Sequence, residues 1–243
     1  MDSKIAELAK MLTNAFHAVV LTGAGMDTES NIPDFRSKTG WWSQVDPKKV
    51  ASVDTLEENY DLFYEFNRIN LELLEKYQPH QGHYVLAKLE EQGLIAAVAT
   101  QNITGFHQAA GSKKVYELHG NLRNFYCHHC GTPATREEFL QKKSCRHCGQ
   151  KVLRPNVVLF GESLPPEAWR NAVNSIEKSD LLIVIGTSLE VYPVNQLPLL
   201  AKGKTVYINM EEGRRASYDF DMFIRGKAGE VLQELMNAIQ NKI

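Results

Sequence analysis

The stretch VVLTGAGMDTESNIPDFR, residues 19–36, decides the fold of this chain. Its first three residues are apolar and are typical of a buried strand. Gly23-Ala24-Gly25 follows one residue later, and glycines after a strand let the backbone turn sharply and approach a ligand closely. Thr28 then stands where a helix would begin and aim its free N–H groups at a phosphate. This is not the full G-x-G-x-x-G, and many glycine turns bind no ligand, so the stretch alone leaves a nucleotide site and an ordinary turn both open.

The second half of the stretch, Pro33-Asp34-Phe35-Arg36, places a rigid residue, an acid, an aromatic ring and a cation side by side. One interpretation is a surface loop that carries an Asp–Arg pair. The other is a lid that holds a charged ligand with a flat ring. The four residues are compatible with both.

Length and composition limit the architecture and the partners. The 243 residues, 43% hydrophobic and 23% charged, fit one α/β domain with an insert or two small domains. The net charge of −2 argues against nucleic acid or an acidic membrane as a partner. Residues 1–18 have the pattern of an amphipathic helix rather than a secretory signal, and no apolar run approaches the length of a membrane span. We therefore expect a soluble, cytoplasmic protein of unknown oligomeric state.

Short apolar runs alternate with helical patterns along most of the chain. Most runs are rich in Val and Ile and end at Gly, Asn or Ser, as strands buried on both faces of a parallel sheet do. The alternation predicts an α/β fold with a Rossmann-like, doubly wound parallel sheet, whose ligands bind at the carboxyl ends of the strands. The predicted strands are residues 18–22, 96–100, 115–118, 157–160, 181–185, 205–208 and 220–224, and the predicted helices are residues 83–92, 166–178, 194–201 and 227–240.

Two segments interrupt this alternation. Residues 38–79 are rich in aromatic residues and predict one or two helices, and residues 123–155 contain all four cysteines. We expect these two insertions to form a smaller second domain. The Rossmann-like domain then consists of residues 1–37, 80–122 and 156–243.

The cysteines form two C-x-x-C pairs, Cys127 with Cys130 and Cys145 with Cys148. Four thiolates make a closed tetrahedral zinc site, and this spacing is specific for one, although a histidine between the ligands could replace a cysteine. A reducing cytosol disfavours disulfides, and a redox-active C-x-x-C would leave the second pair unexplained. The pattern predicts a structural zinc ion, because a closed site leaves no position for a substrate.

A histidine follows the third predicted strand, in the sequence Glu117-Leu118-His119-Gly120-Asn121. At the carboxyl end of a strand, a histidine is well placed for general-base catalysis near neutral pH. A structural histidine that caps a loop would occupy the same position. By position alone, both roles remain open for His119.

Small and polar residues follow three further predicted strands. Gln101 and Asn102 end one strand, a Gly-Thr-Ser loop at residues 186–188 follows another, and Asn209 ends a third. Such residues suit contacts with a phosphate or a ribose. Each signal is weak alone, but their agreement favours a nucleotide site along this edge.

Taken in chain order, these motifs resemble the signatures of the sirtuins, the Sir2-like NAD-dependent protein deacylases, of the bacterial type. The resemblance rests on GAG, IPDFR, QNI, HGN, the two cysteine pairs, GTS and IN, and it covers nearly the whole chain. It implies a Rossmann-like domain with a small zinc-and-helix domain, and an active site in the cleft. It also implies removal of an acyl group from a protein lysine with consumption of NAD, giving free lysine, nicotinamide and O-acyl-ADP-ribose.

The resemblance also implies roles for individual residues. His119 and Asn102 are the implied catalytic residues, with His119 deprotonating a ribose hydroxyl. The implied NAD-binding residues are Gly23, Ala24, Gly25, Thr28, Asp34, Phe35, Arg36, Gln101, Asn102, Ile103, Thr104, His119, Gly186, Thr187, Ser188, Asn209 and Ala228. The residues implied to bind the acylated lysine peptide are Val157, Val158, Phe160, Gly161, Val191 and Tyr192, which would equally suit an ordinary strand and loop.

Four residues in these motifs depart from the family pattern, and one of them, Phe106 in place of Leu, is a change of bulk only. Thr104 stands where the family has an Asp that binds the nicotinamide carboxamide; Thr can hydrogen-bond an amide, but without a negative charge and with a shorter reach. Asp27 stands where Ser is usual, and we expect it to face and cap the following helix. Asn31 replaces a Gly, and Asn is the side chain that best tolerates a positive φ.

The helical insert bears on the acyl group. Sirtuins that remove acidic acyl groups carry a Tyr and an Arg three residues apart in this region. Tyr64 matches, but Asn67 stands at the Arg position, and Arg68 is displaced by about 100° around a helix. We expect neutral acyl chains, acetyl or longer.

Two other functions stay open at this point. An NAD glycohydrolase or ADP-ribosyltransferase would release nicotinamide without an acyl substrate. A catalytically weak sensor would bind NAD or ADP-ribose and turn over nothing. Thr104 favours either alternative, whereas His119 and the peptide-binding segments favour a deacylase.

Overall fold

The computed structural model describes residues 2–32, 46–212 and 218–241. Its α-helices are α1 (Asp2–Asn14), α2 (Pro47–Val50), α3 (Val53–Glu58), α4 (Tyr60–Leu74), α5 (Gln81–Glu91), α6 (Phe106–Ala109), α7 (Arg136–Leu140), α8 (Pro166–Glu177) and α9 (Ala228–Gln240). Its strands are β1 (Ala18–Thr22), β2 (Ala97–Thr100), β3 (Val115–Glu117), β4 (Gly120–Cys127), β5 (Pro133–Ala134), β6 (Leu153–Val157), β7 (Leu181–Ile185), β8 (Lys204–Asn209) and β9 (Met222–Arg225). Short 3-10 helices cover Ala24–Met26, Thr28–Ser30 and Val194–Leu200.

Six of the strands form a parallel sheet in the order β3-β2-β1-β7-β8-β9. Val20 of β1 lies opposite Val98 of β2 on one side and Ile183 of β7 on the other. The predicted Rossmann-like, doubly wound sheet is therefore confirmed. Strand order reverses between β1 and β7, and this reversal leaves a crevice at their carboxyl ends.

Both faces of the sheet are buried. Because successive side chains of a strand point to opposite faces, Val20 and Ile183 enter a core beneath α1, α5 and α9. Val19 and Val184 enter a second core beneath α8 and residues 194–200. Burial on two sides explains why these strands are apolar at every position except Thr22, the last residue of β1.

The segment predicted as a further parallel strand, residues 157–160, lies outside this sheet. Instead β6 pairs antiparallel with β4, and with β5 these strands form a separate three-stranded sheet. Gly120 has φ +72°, and a Cβ there would lie only 2.0 Å from the carbonyl oxygen of Asn156. This glycine turns the chain out of the parallel sheet after β3 and brings β4 onto β6.

Two other predicted elements differ in kind or extent. Residues 194–200 form a 3-10 helix rather than an α-helix, and they contain Pro198, which has no N–H to donate inside a helix. The last strand begins at Met222 instead of residue 220.

A third hydrophobic core joins α3, α4 and α7 to the three-stranded sheet. The ring of Phe139 lies 5.1 Å from that of Tyr64 and 5.4 Å from that of Phe125, measured between centroids. The described part of the helical insert contains three helices, α2 to α4, and residues 38–45 lie outside the described ranges. The boundaries between the two domains stay a prediction.

Among the described residues, every helix is too short or too polar to cross a lipid bilayer.

Candidate active site

The glycine turn after β1 packs directly against the loop after β7. The N–H of Gly25 donates to the carbonyl oxygen of Gly186 at 2.7 Å. A Cβ on Gly25 would lie 2.8 Å from the Cα of Gly186, and a Cβ on Gly23 would lie 2.6 Å from the Cβ of Thr187. The contact needs glycine at these positions, and it holds two predicted cofactor-binding loops together at the crevice.

The end of β2 is tied to both of these loops by side-chain amides. Asn102 Nδ2 donates to the carbonyl oxygen of Gly23 at 3.0 Å. Gln101 Nε2 donates to Thr187 Oγ1 at 2.9 Å. Residues predicted from separate strand ends therefore meet in one place.

His119 joins this cluster through its ring. Its Nδ1 lies 3.0 Å from the carbonyl oxygen of Gln101, which can only accept, so Nδ1 carries the proton and Nε2 carries the lone pair. Burial lowers the pKa of His119, although its hydrogen bond to Gln101 acts in the opposite direction. The ring is therefore neutral near pH 7, and Nε2 is ready to accept a proton.

The far end of the crevice is formed by β8. The carbonyl oxygen of Thr187 accepts from the hydroxyl of Tyr207 at 2.8 Å and from Nδ2 of Asn209 at 3.3 Å. Ser188 is partly exposed beside them, and Ala228 is buried as the first residue of α9. Tyr207 was missed by the sequence analysis because its position inside an apolar strand predicts only a core residue.

The remaining predicted cofactor residues differ in their exposure and in their contacts. Thr28 is exposed and its hydroxyl donates to the carbonyl oxygen of Gly25 at 2.9 Å. Ile103 packs against the third core, and its carbonyl accepts from the N–H of Leu122. Thr104 is partly exposed next to Asp27. The predicted lid residues, Asp34, Phe35 and Arg36, lie outside the described residues.

Asp27 does not cap a helix, contrary to our expectation. Its side chain makes no capping bond to the 3-10 helix Thr28–Ser30 and is only 3% exposed. Oδ2 accepts from the hydroxyl of Thr104 at 2.8 Å, and Oδ1 lies 3.0 Å from Nε2 of His83. A three-residue helix has little to gain from a cap, and the two donors from distant segments draw the carboxylate inward.

His83 and His107 lie behind this carboxylate and were also missed by the sequence analysis. Their ring centroids are 5.0 Å apart, and both side chains are buried. Burial, aided by the neighbouring His83, lowers the pKa of His107 to about 3, so this ring is neutral. Their spacing in the sequence has no helical or strand period, so no local pattern identified them.

The segment predicted to bind a peptide contacts His119 at one end and extends from there toward residues 51–53. The N–H of Val158 donates to the carbonyl oxygen of His119 at 2.9 Å. Phe160 exchanges backbone bonds with Ala51 and Val53, at 2.9 and 3.1 Å. Phe160 and the following Gly161 are exposed, and so are Val191 and Tyr192 in the loop after β7.

A buried ion pair holds this segment at its two ends. Arg154 is completely buried, and its guanidinium contacts both carboxylate oxygens of Glu162, at 2.6 and 2.9 Å. Arg154 also donates to the carbonyl oxygen of Val157, and Glu162 accepts from the N–H of Leu159 at 2.8 Å. The pair was not predicted, because two charges eight residues apart give no signal without the loop between them.

The four cysteines come together at one end of the three-stranded sheet, in positions suited to bind one metal ion. All four Sγ atoms lie within 4.8 Å of one another, and the pairs Cys127/Cys148 and Cys130/Cys145 are 3.6 Å apart. Sulfurs around a tetrahedral zinc ion are about 3.8 Å apart for Zn–S bonds of about 2.3 Å. The thiolate donors and their spacing therefore fit zinc, and the predicted cluster is confirmed.

The comparisons with known proteins agree with one another. The Sir2 family model matches residues 23–193. An NAD-dependent protein deacetylase of Oceanobacillus iheyensis is 47% identical over 231 residues, covering 93% of this chain and 97% of its own.

Two solved structures are similar over nearly the full length. A Sir2–p53 peptide–NAD⁺ complex matches with a TM-score of 0.85 and 38% identity, covering 95% of this chain and 96% of its own. A Sir2 variant with a deacetylated p53 peptide and 3′-O-acetyl ADP ribose matches with a TM-score of 0.89 and 37% identity, covering 96% and 97%.

Proposed function

Because this chain belongs to the Sir2 family, we propose that it is an NAD-dependent protein deacylase in which His119 is the catalytic base. The position of His119 carries the proposal. Its ring is bonded to Gln101 at the predicted NAD site, and its own carbonyl accepts from Val158 of the predicted peptide segment. A base at this junction can act where the two substrates meet.

The geometry around His119 supports one route for the proton transfer. Bound NAD supplies the ADP-ribose unit that receives the acyl group. His119 accepts a proton at Nε2 from the ribose hydroxyl that takes up the acyl group, since Nδ1 is already protonated. The carbonyl oxygen of Gln101 keeps the ring in this tautomer and orientation.

Backbone groups and amides hold the nucleotide in this proposal. Gly23 and Gly25 let the turn after β1 lie directly against Gly186, so a dinucleotide contacts main-chain groups at the crevice. Gln101 and Asn102 are fixed by their bonds to Thr187 and Gly23 and form the floor beside His119.

The acylated peptide lies along residues 157–161 and the exposed loop at residues 191–192. An extended peptide gains affinity there from main-chain contacts, with little demand on its sequence. Exposed apolar side chains at Phe160 and Tyr192 offer contacts for the aliphatic part of an acyl-lysine.

The acyl group is neutral in this proposal. The hydroxyl of Tyr64 already donates to the carbonyl oxygen of Leu140 at 2.8 Å, and the ring is buried. Arg68 pairs with Glu65 and Glu72 on the outer surface of α4. Tyr64 and the displaced Arg68 are therefore both committed to other partners, and Asn67 at the Arg position carries no charge.

Zinc is structural in this proposal, because Cys127 and Cys145 are part of the third core, and Cys127 lies at the end of β4 opposite to His119. We assign the protein to the cytoplasm, where the cysteines stay reduced as metal ligands. The zinc module and the helical insert form the small domain, with the predicted boundaries.

Nicotinamide release from NAD, measured with and without an acetyl-lysine peptide, tests the function. The wild type should release nicotinamide only with the peptide. His119→Ala should lose at least about a hundredfold in turnover while still binding NAD by calorimetry, because a general base contributes about 10²–10⁴. His17→Ala is the matched control: its Nε2 contacts Ser175 at the opposite end of β1 and should leave turnover unchanged.

Two results would contradict the proposal. Release of nicotinamide at the same rate without peptide would identify an NAD glycohydrolase. Full turnover by His119→Ala would remove this histidine from the mechanism.

A further inference from the structure

The two departures from the family pattern nearest the glycine turn contact each other. Asp27 and Thr104 are 77 residues apart in the sequence, yet the hydroxyl of Thr104 donates to Oδ2 of Asp27 at 2.8 Å. Where the pattern has a hydroxyl, this chain has a carboxylate, and where the pattern has a carboxylate, this chain has a hydroxyl. The pair of groups is therefore present, with the two members exchanged.

Asp27 is anchored in place by a second donor. His83 is completely buried, and its Nε2 lies 3.0 Å from Oδ1 of Asp27, so its N–H donates to this carboxylate oxygen. The carboxylate itself is only 3% exposed. Asp27 therefore cannot reach a ligand in the crevice directly and acts through its neighbours.

Thr104 is the neighbour that faces outward. It is partly exposed and follows Gln101 and Asn102 at the end of β2. Its hydroxyl proton is used on Asp27, and one lone pair receives the N–H of Phe106 at 3.4 Å, which leaves one lone pair. The adjacent negative charge strengthens this oxygen as an acceptor.

We propose that Thr104, polarised by Asp27, accepts a hydrogen bond from the carboxamide NH₂ of the nicotinamide half of NAD, and that Asp27 is the positioning residue. The inference rests on the proposed function and deepens it. A hydroxyl that donates to a carboxylate presents only an acceptor, as a carboxylate oxygen would. The negative charge is kept, one residue further from the ligand.

Thr104→Asp introduces the residue that the family has at this position, yet we expect it to impair the site in this chain. In this chain the new carboxylate would contact that of Asp27, and two carboxylates at this distance cannot both ionise without cost. The substitution should therefore weaken binding of the nicotinamide half. Asp27→Ser should weaken it too, because the charge is lost.

The experiment is a double-mutant cycle read by calorimetry with NAD and with ADP-ribose, which lacks nicotinamide. The ratio of the two dissociation constants isolates the nicotinamide half and cancels any loss of folded protein. In each single variant, the dissociation constant for NAD should rise about tenfold or more relative to that for ADP-ribose. This is the size expected for the loss of a hydrogen bond that involves a charged group. Asp27→Ser/Thr104→Asp should return closer to the wild type than either single variant.

A chemically matched pair provides the control. Thr205 donates to Asp221 at 3.2 Å, at the start of β8 and on the opposite end of the strand from the crevice. Asp221→Ser/Thr205→Asp and its single variants should leave the NAD to ADP-ribose ratio unchanged. Thr104→Val keeps the shape of the side chain and removes its oxygen. It should weaken NAD binding, relative to ADP-ribose, as much as Thr104→Asp does.

The inference is overturned if Thr104→Asp tightens NAD binding, if the double variant is as weak as both single losses combined, or if Thr104→Val binds NAD like the wild type. Failure of the proposed function has a different signature. The wild type would then release no nicotinamide with an acetyl-lysine peptide, whatever pattern the binding ratios follow.

Discussion

Gln101 makes two contacts that bear on His119, the histidine that we propose as the catalytic base. Its carbonyl oxygen fixes the tautomer of His119, and its side-chain amide is held by Thr187 at the end of a different strand. His119 is thus oriented by a main-chain carbonyl and not by an acidic side chain. This arrangement leaves its basicity to be set mainly by burial.

The pH dependence of turnover should reflect that burial. A protonated His119 cannot accept a proton, so activity falls as the pH falls through its pKa. Because burial lowers this pKa, the acidic limb of kcat/KM should have its midpoint below 6.5, the ordinary value for histidine. The measurement is a pH profile of peptide-dependent nicotinamide release, with unfolding followed over the same range; a midpoint at or above 6.5 would contradict it.

The backbone contact at Gly25 gives a second prediction at this scale. Gly25→Ala places a Cβ 2.8 Å from a backbone atom of Gly186, so the turn must shift. We expect a loss of about 1–3 kcal/mol in unfolding free energy and at least tenfold weaker NAD binding, measured by urea titration and calorimetry. Gly93→Ala has open space around it but a positive φ, so it should lower stability and leave NAD binding unchanged. Unaltered NAD affinity in Gly25→Ala would remove this turn from the site.

Among the elements, the loop between β6 and residue 162 is organised by charge. Arg154 sits at one end and Glu162 at the other, and between them the backbone of residues 157–160 is bonded to His119 and Ala51. A segment without a regular sheet partner on both sides can be held rigid in this way, because a buried charge must keep its partners. The ion pair therefore positions the segment that we assign to the peptide.

Glu162→Gln tests this positioning. The buried guanidinium of Arg154 loses its charged partner, and we expect about 3 kcal/mol lower stability. Turnover kinetics should show a KM for the acetyl-lysine peptide raised about tenfold, with kcat and the KM for NAD changed much less. In the matched control Glu72→Gln, the lost partner is Arg68 on the surface, and both stability and kinetics should stay within experimental error. Equal increases in both KM values would indicate a general structural role instead.

At the scale of the whole molecule, three hydrophobic cores support different parts of the fold. Two cores cover the faces of the parallel sheet, whose loops we assign to NAD, and the third core joins the cysteine cluster to helices α3 and α4. His119 lies where β3 leaves the first sheet and β4 begins the second. The proposed active site thus lies at the join between the parallel sheet with its two cores and the small region that contains the cysteine cluster.

Removal of zinc should affect the third core first. Cys145→Ser should abolish metal binding and lower the thermal midpoint, because the free energy of zinc binding contributes to folding. Hydrogen exchange should increase over residues 120–157 and remain slow in β1 and β7. Metal content by mass spectrometry and exchange of the chelator-treated wild type provide the measurement. A zinc-free protein with unchanged exchange and activity would rule out a structural metal.

The sequence by itself determined the elements whose physics is local. The bounds of β1 and β7 matched the prediction because β7 is an uninterrupted apolar run and β1 is an apolar run that ends in Thr22 before the glycine turn. The glycine turn and the cysteine pairs could also be predicted from the sequence, because backbone freedom and ligand spacing depend on residues that are close together in the chain.

Only the tertiary structure decided which side chains meet. Asp27 was expected to cap a neighbouring helix, but its partners, His83 and Thr104, lie 56 and 77 residues away. Residues 157–160 were expected in the parallel sheet, but the turn at Gly120 sends their neighbours to an antiparallel one. The reason is the same in both cases. Burial and hydrogen bonding are settled by which elements pack together, and a local pattern contains no information about a partner in a distant segment.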